Sequence, residues 1–249
     1  MKIDIVVKSY NRPYYLDRCL YSILMFLKNY EGSIFVIDDG TPEQYLNKIK
    51  KKYPTVKIVK SELYEEKVKE IKNCTGKQIS TIPIDSWLNV ILNLNDKFLL
   101  LEDDIWFYRK LNLNEFEKVV DVDFKMFKMF WLNNNRIVMS KKEHSFDQFI
   151  KYQPALMTNS PFLFKLIFNS HRFGISKILK YLKINTYSNL IPYYGIYSVA
   201  GVIYSKEYFM QLWKNHNSTV NEPLQIYNAL QYLYKNNSSF IRSNTELLK

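Results

Sequence analysis

The chain opens on a short apolar run, IDIVV at residues 3–7, bounded by polar positions, which predicts a buried strand. A turn cluster, SYNRP at 9–13, follows it, with proline fixing the backbone. Leu16, Leu20, Ile23, Leu24 and Leu27 then recur at helical spacing and predict an amphipathic helix. Gly32 closes that connection, residues 33–37 read as a second buried strand, and Asp38, Asp39 and Gly40 end it. Residues 42–52 read as a helix, with Thr41 as its cap and Pro42 at the first position. Residues 56–59 supply a short third strand. Strand, helix, strand, helix, strand is the pattern of a parallel sheet with right-handed crossovers, so the predicted class is α/β. Ligands of such sheets sit beyond the carboxyl ends of the strands, where SYNR and DDG both fall.

Further along, residues 61–72 are charged and read as an exposed helix or loop. Residues 84–94 predict a helix with Trp87, Leu88, Ile91 and Leu92 inward. The continuous apolar run at 98–101 predicts a central strand that delivers Glu102, Asp103 and Asp104 to its carboxyl end. A helix over 113–120 and a strand over 126–132 follow, the latter leading into Asn133, Asn134, Asn135 and Arg136. Residues 154–195 are aromatic and basic, with no linker to isolate them as a domain. Residues 197–204 read as a strand broken by Ala200 and Gly201, 205–215 as a helix capped by Ser205, and 222–234 as another helix. The tail after Asn236 is polar and reads as frayed.

Composition adds limits. Apolar residues make up 47% of the 249, enough for a sizeable core. Two cysteines, Cys19 and Cys74, cannot form a disulfide framework, and the pair suits a reducing compartment. Cys19 falls on the apolar helix face and reads as a buried thiol. No signal peptide or bilayer-spanning run is visible, so a cytoplasmic location is expected. The net charge of +11 favours anionic partners, or reflects only a lysine-heavy surface.

The strongest chemical signal is LLLEDD at 99–104. Three acidic side chains at a strand end repel each other and are desolvated by the sheet edge, so a cation or a hydrogen-bond donor must offset them. Mg²⁺ or Mn²⁺ is typically held by one or two carboxylates plus substrate phosphates. A solvated acidic turn is the plain alternative, but SYNR and DDG at neighbouring strand ends favour the functional reading.

IVVKSYNRPYYLDRCLYSIL, FVIDDGT and FLLLEDDIWF, in this order and spacing, resemble the first strand and nucleotide loop, the second strand with its acidic turn, and the metal-binding Asp-x-Asp segment of GT-A fold glycosyltransferases, family 2 especially. The last appears here as a Glu-Asp-Asp variant. SVAGVIYSKEYFMQLW is similar, more loosely, to the acceptor-side strand and helix. The likeness covers residues 1–135 well and 196–235 weakly, and leaves the middle unmatched. It implies a GT-A, Rossmann-like, mixed and mostly parallel sheet flanked by helices, with an acceptor-side insertion. It also implies one catalytic domain over 1–249, in which 1–135 bind the nucleotide-sugar and 136–249 the acceptor, including the basic-aromatic insertion 154–195.

The resemblance assigns roles. Ser9 and Tyr10 hold the nucleoside by backbone contacts and stacking, and Asn11 and Arg12 by hydrogen bonds, unless Arg12 pairs with the diphosphate, which suits its planar fork. Asp38, or Asp39, reads the base, the other serving the turn before the next helix. Asp104 is the direct metal ligand, Asp103 a ribose partner, and Glu102 a ribose or water-mediated contact. The expected cofactor is Mn²⁺ or Mg²⁺ and the donor a UDP-sugar. Glu222, at the start of its helix, takes the place of the general base of an inverting reaction, although the usual Glu-Asp pair is here Glu-Pro. A first-turn acid that merely complements the helix dipole is the rival reading. Asp147 and Glu207 are less well placed. Lys77 reads as a surface lysine, and Trp131 lies where such folds contact sugar.

The implied acceptor is a saccharide or lipid-linked saccharide. Between 161 and 183 the chain carries Lys165, His171, Arg172, Lys177, Lys180 and Lys183 among large apolar residues and no acid, which predicts peripheral contact with an anionic membrane or an amphipathic pair packed on the core. Two rival functions weigh less. A nucleotidyltransferase opens on a glycine-rich phosphate loop, and SYNRP has no glycine. A nucleic-acid-binding protein fits the charge, but no recognised motif, zinc ligand set or basic helix array occurs, so no nucleic acid is expected.

Overall fold

Ile5 and Val7 point to one face of the first strand, β1 (Asp4–Ser9), and Val6 to the other, and all three are fully buried. A strand apolar on both faces needs cover on both sides. The computed structural model describes residues 2–73, 81–119, 123–132, 140–168, 175–217, 219–236 and 238–249. Lys77, Asn133, Asn134, Asn135, Arg136, Cys74, His171 and Arg172 lie outside them.

After β1 come α1 (Pro13–Phe26), β2 (Leu27–Lys28), β3 (Ile34–Asp38), α2 (Glu43–Lys52), β4 (Lys57–Lys60), α3 (Tyr64–Asn73), α4 (Ile84–Leu92), β5 (Lys97–Glu102), β6 (Leu111–Asn112) and α5 (Leu113–Val119). The second half adds β7 (Phe124–Trp131), β8 (Ser140–Phe146), β9 (Phe149–Pro154), α6 (Pro161–Phe168), α7 (Ile175–Tyr181), α8 (Tyr187–Leu190), a 3-10 turn (Ile191–Gly195), β10 (Val202–Ser205), α9 (Lys206–Leu212), α10 (Glu222–Lys235) and β11 (Ser239–Leu248).

The main sheet has nine strands in the order β4-β3-β1-β5-β10-β7-β11-β9-β8. β4, β3, β1 and β5 run parallel. β10 is antiparallel to both β5 and β7, β11 runs parallel to β7, and β9 and β8 close the far edge in antiparallel fashion. The expected mixed α/β sheet is therefore present. One face packs Ile5, Val7, Leu99 and Leu101 against Leu16, Leu20 and Ile23 of α1 and Phe116 of α5. The other packs Val6, Phe98 and Leu100 against Trp87 and Ile91 of α4, Phe209 of α9 and Ile226 of α10.

Several sequence expectations change. The tail after Asn236 is a strand within the sheet: Phe240, Ile241, Leu247 and Leu248 are buried, and Ser243 Oγ accepts from Phe130 N at 2.9 Å. Its polar middle is paired across strands, since Arg242 Nη2 meets Glu143 Oε1 at 2.9 Å. β8 and β9 carry no clear apolar period, and the sequence reading passed over them. Residues 197–201 are not strand; Gly201 (φ +69°) turns the chain, and a Cβ there would lie 2.8 Å from Leu248 Cδ1 and 2.9 Å from Trp131 Nε1. Thr41 does not cap α2. Its hydroxyl donates to Asp38 Oδ2 at 2.6 Å, and Pro42 holds the cap position. Leu92 is exposed rather than inward.

Candidate active site

The loops after β1, β3 and β5 are laced together by backbone hydrogen bonds. Asp39 N donates to Ser9 O at 2.9 Å, and Asp103 N donates to Lys8 O at 3.0 Å. This puts SYNR, DDG and the acidic trio at one end of the sheet, around a cavity of about 450 Å³. Lys8, Ser9, Tyr10, Arg12, Asp39, Lys67, Trp87 and Glu102 are among its lining residues.

The two aspartates after β3 divide their work. Asp38 is fully buried, and both its oxygens serve the turn: Oδ1 accepts from Gly40 N and Thr41 N, and Oδ2 from the Thr41 hydroxyl. It is not among the residues that line the cavity, so of the two carboxylates expected to read the base Asp39 is the one presented there. Asp39 does line it, accepting from Ser61 Oγ at 2.5 Å and pairing with Lys67 Nζ. Burial pushes both carboxyls up in pKa against these hydrogen bonds. Lys67, on the segment read as exposed, is 4% exposed and also donates to Thr81 O at 2.6 Å. Its ammonium stands 5.3 Å from the Tyr10 ring centroid. Gly40 (φ +137°) permits this crowding: a Cβ there would come within 2.9 Å of Lys67 Cβ and 3.3 Å of the Tyr10 ring.

Asn11 takes a left-handed backbone (φ 49°), an uncommon conformation for a non-glycine residue, and its N–H donates to Thr41 Oγ1 at 3.1 Å. Its contact is thus with the neighbouring turn. Arg12 lies against the acidic trio: Nη2 is 2.5 Å from Asp103 Oδ1 and Nη1 is 2.6 Å from Asp104 Oδ2. Asp103 is fully buried and also accepts from Tyr10 N at 3.2 Å. Burial pushes its carboxyl up to about 6, against the pull of Arg12 and the Tyr10 N–H. Asp103 therefore anchors the loop from below, and the carboxylate of the trio that lines the cavity is Glu102. Glu102 faces the cavity and pairs with Lys8 Nζ at 2.9 Å; that ammonium also donates to Val199 O and sits 4.5 Å from the Trp87 ring centroid. The offsetting groups that three adjacent carboxylates require are thus Arg12 and Lys8.

A metal has a narrow place here. Among the described residues no three metal-ligating side chains cluster into a cage. Mg²⁺ and Mn²⁺ need no such cage when substrate phosphates complete the shell. Asp104, 38% exposed and paired with the cavity-lining Arg12, fits that kind of single-carboxylate site.

Glu222 lies at the start of α10, where Asn221 caps the helix by accepting from Leu224 N at 3.1 Å. Tyr194 Oη donates to Glu222 Oε2 at 2.7 Å. Glu222 lines a second cavity of about 170 Å³ together with Lys128, Trp131, Tyr194 and Tyr197, and Val199 belongs to both cavities. Lys128 was missed by the sequence reading. It is 8% exposed, and burial pulls its ammonium down to about 8, against the support of Glu222. The available signal was a lysine spaced inside an apolar strand, KMFKMF.

The sequence matches no protein-family model and no curated protein. Solved structures do match. The S. aureus TarS 1-349 structure superposes with a TM-score of 0.57 at 15% identity, covering 100% of this chain and 60% of that one. The S. aureus TarS structure gives 0.56 at 15% identity, over 100% of this chain and 36% of that one. TarS 1-349 in complex with UDP-GlcNAc gives 0.54 at 17% identity, over 100% and 58%. The chain thus spans about 60% or less of the length of these relatives. At such identity the likeness is one of fold, and the fold of this chain is the GT-A-like mixed α/β fold of TarS.

Proposed function

We propose that this protein is a glycosyltransferase that moves a sugar from a UDP-sugar to an acceptor hydroxyl with inversion. The observation that carries the reading is the adjacency of two cavities that share Val199 as a wall, one lined by Asp39, Lys67, Arg12 and Glu102, the other by Glu222. The shared fold with a protein solved in complex with UDP-GlcNAc supports it.

Asp39 and Lys67 offer an acceptor and a donor side by side, complementary to the N3–H and carbonyl oxygen of uracil. Cytosine presents an acceptor at N3 in place of the uracil N–H and a donor at its 4-amino group in place of O4, so the order of donor and acceptor that Asp39 and Lys67 meet is reversed. Tyr10 is within reach to stack on the base. Arg12 is the cavity's movable cation: 43% exposed, its fork can turn from Asp104 toward phosphate oxygens. Mn²⁺ or Mg²⁺ on Asp104 would supply Lewis acidity to the leaving nucleoside diphosphate. Glu222 accepts the proton of the acceptor hydroxyl as the new glycosidic bond forms and the bond to the diphosphate breaks. The acceptor on this reading is a saccharide or lipid-linked saccharide.

Thermal shift with UDP, UDP-GlcNAc and CDP, each with and without Mn²⁺, tests the donor. Protection by the uridine ligands over CDP, strengthened by Mn²⁺, is expected. In Asp104→Asn the Mn²⁺ effect should vanish while the unliganded melting temperature is kept. Equal protection by CDP removes the base assignment, and an undiminished Mn²⁺ effect in Asp104→Asn removes the metal assignment.

A further inference from the structure

The smaller cavity contains a group that donor chemistry does not use. Tyr197 is fully buried and lines this cavity, and its hydroxyl has no hydrogen-bond partner among the described residues. Tyr152, Tyr193, Tyr204 and Tyr208 are buried to a similar degree, and each donates to a backbone carbonyl. A buried hydroxyl with no partner costs stability, and a native structure that keeps one calls for an explanation. Burial pushes the Tyr197 hydroxyl up in pKa, and Tyr204, Glu222, Tyr194 and Glu102 add to the push. The hydroxyl thus lies in the field of Glu222, which lines the same cavity, and of Glu102, which lines the neighbouring one.

The charges beside it balance. Lys128 Nζ donates to Tyr194 O at 2.7 Å and is near enough to Glu222 for that carboxylate to support its charge. A cavity with one buried cation and one carboxylate holds no surplus charge for an ionic ligand. Its walls include the rings of Trp131 and Tyr194, faces suited to the C–H side of a sugar. At about 170 Å³ it is smaller than a pocket for a whole ligand, so it takes one end of a longer molecule.

We propose that this cavity receives the terminal unit of the acceptor, a neutral polyhydroxy group, and that Tyr197 is the residue that binds it, hydrogen-bonding one hydroxyl while Glu222 faces the next. The proposal rests on the transferase reading and specifies its acceptor: a sugar or polyol end, not a phosphate or a carboxylate.

Saturation-transfer NMR with methyl glucoside, methyl N-acetylglucosaminide and sorbitol, against glucuronate and glycerol phosphate, reads the cavity directly. Neutral probes should bind the wild type better than the anionic ones. Tyr197→Phe should weaken them about tenfold, the order of one hydrogen bond in a desolvated site. The same substitution should leave UDP affinity unchanged and raise the melting temperature of the free protein, because it removes only an unpartnered hydroxyl. Tighter binding of the anionic probes overturns the proposal, as does binding of neutral probes that is absent or indifferent to Tyr197→Phe. UDP protection of the wild type is scored separately: its loss removes the transferase reading, whereas its presence with no Tyr197-dependent polyol binding removes only this inference.

Discussion

Arg12 bridges Asp103 and Asp104, so a cation arriving at these carboxylates must displace the guanidinium or share them with it. Among the described residues no cation forms an ion pair with Glu222: the neutral Tyr194 hydroxyl donates to it, and Lys128 feels its charge from further off. Glu222→Gln should therefore lower the catalytic rate about a hundredfold or more while donor affinity is kept, the signature of a lost general base. Steady-state rates beside UDP binding check this; near-normal turnover would place the base elsewhere. Lys128 gives a pH signature. Its pKa falls from 10.5 in the unfolded chain to about 8 in the fold. Between these values the unfolded chain holds the extra proton, so this group's contribution to stability rises with pH. Lys128→Met should be the more stable protein at neutral pH, and its advantage should shrink by about 3 kcal/mol between pH 8 and 10.5. Urea unfolding of both proteins across that range decides it, and a constant difference would mean that Lys128 does not titrate there.

At the scale of elements, β11 departs furthest from expectation. It pairs with β7 on one side and β9 on the other, so the last described strand is interior. Phe240, 3% exposed, packs against Tyr152 and Tyr208 at ring separations near 6 Å (6.1 and 6.0 Å). Phe240→Ala should cost about 3 kcal/mol, whereas a frayed tail would give almost nothing, and chemical denaturation distinguishes the two. Strands β1, β3 and β5 were legible because each is apolar on both faces and bounded by turn residues. β8, β9 and β11 were not, because their polar positions are satisfied across strands: Arg242 by Glu143, and Phe130 N by Ser243. The same limit hid Lys67. Its helix, α3, is charged in sequence, and only the packing against Asp39 and Thr81 shows which lysine is buried.

At the scale of the whole molecule, no helix among the described residues is long and apolar enough to cross a membrane. The surface around α6 and α7 nevertheless exposes Phe162, Leu163, Leu166, Ile178, Tyr181 and Leu182, while only Phe164 of α6 is buried. Lys165, Lys177, Lys180 and Lys183 are exposed in the same stretch of a chain of net charge +11. Peripheral binding to anionic lipid is the proposed use of this surface. Flotation with anionic vesicles at low salt should carry the protein upward. High salt or Lys177, Lys180 and Lys183 changed together to Glu should abolish it. No flotation, or flotation indifferent to these changes, leaves the lobe a packing device. The sequence by itself determined the order of the main-sheet strands through residue 102, the helices between them apart from α3, and the three polar strand ends, because apolar periodicity and turn residues are local properties. It determined neither Asp39 over Asp38, nor Arg12 and Lys8 as the cations that balance the acidic trio, nor the company of Lys128, Tyr197 and Glu222. Those depend on which side chains meet across the sheet, and residues 69 and 94 positions apart, such as Lys128 with Tyr197 and Lys8 with Glu102, come together only through tertiary structure.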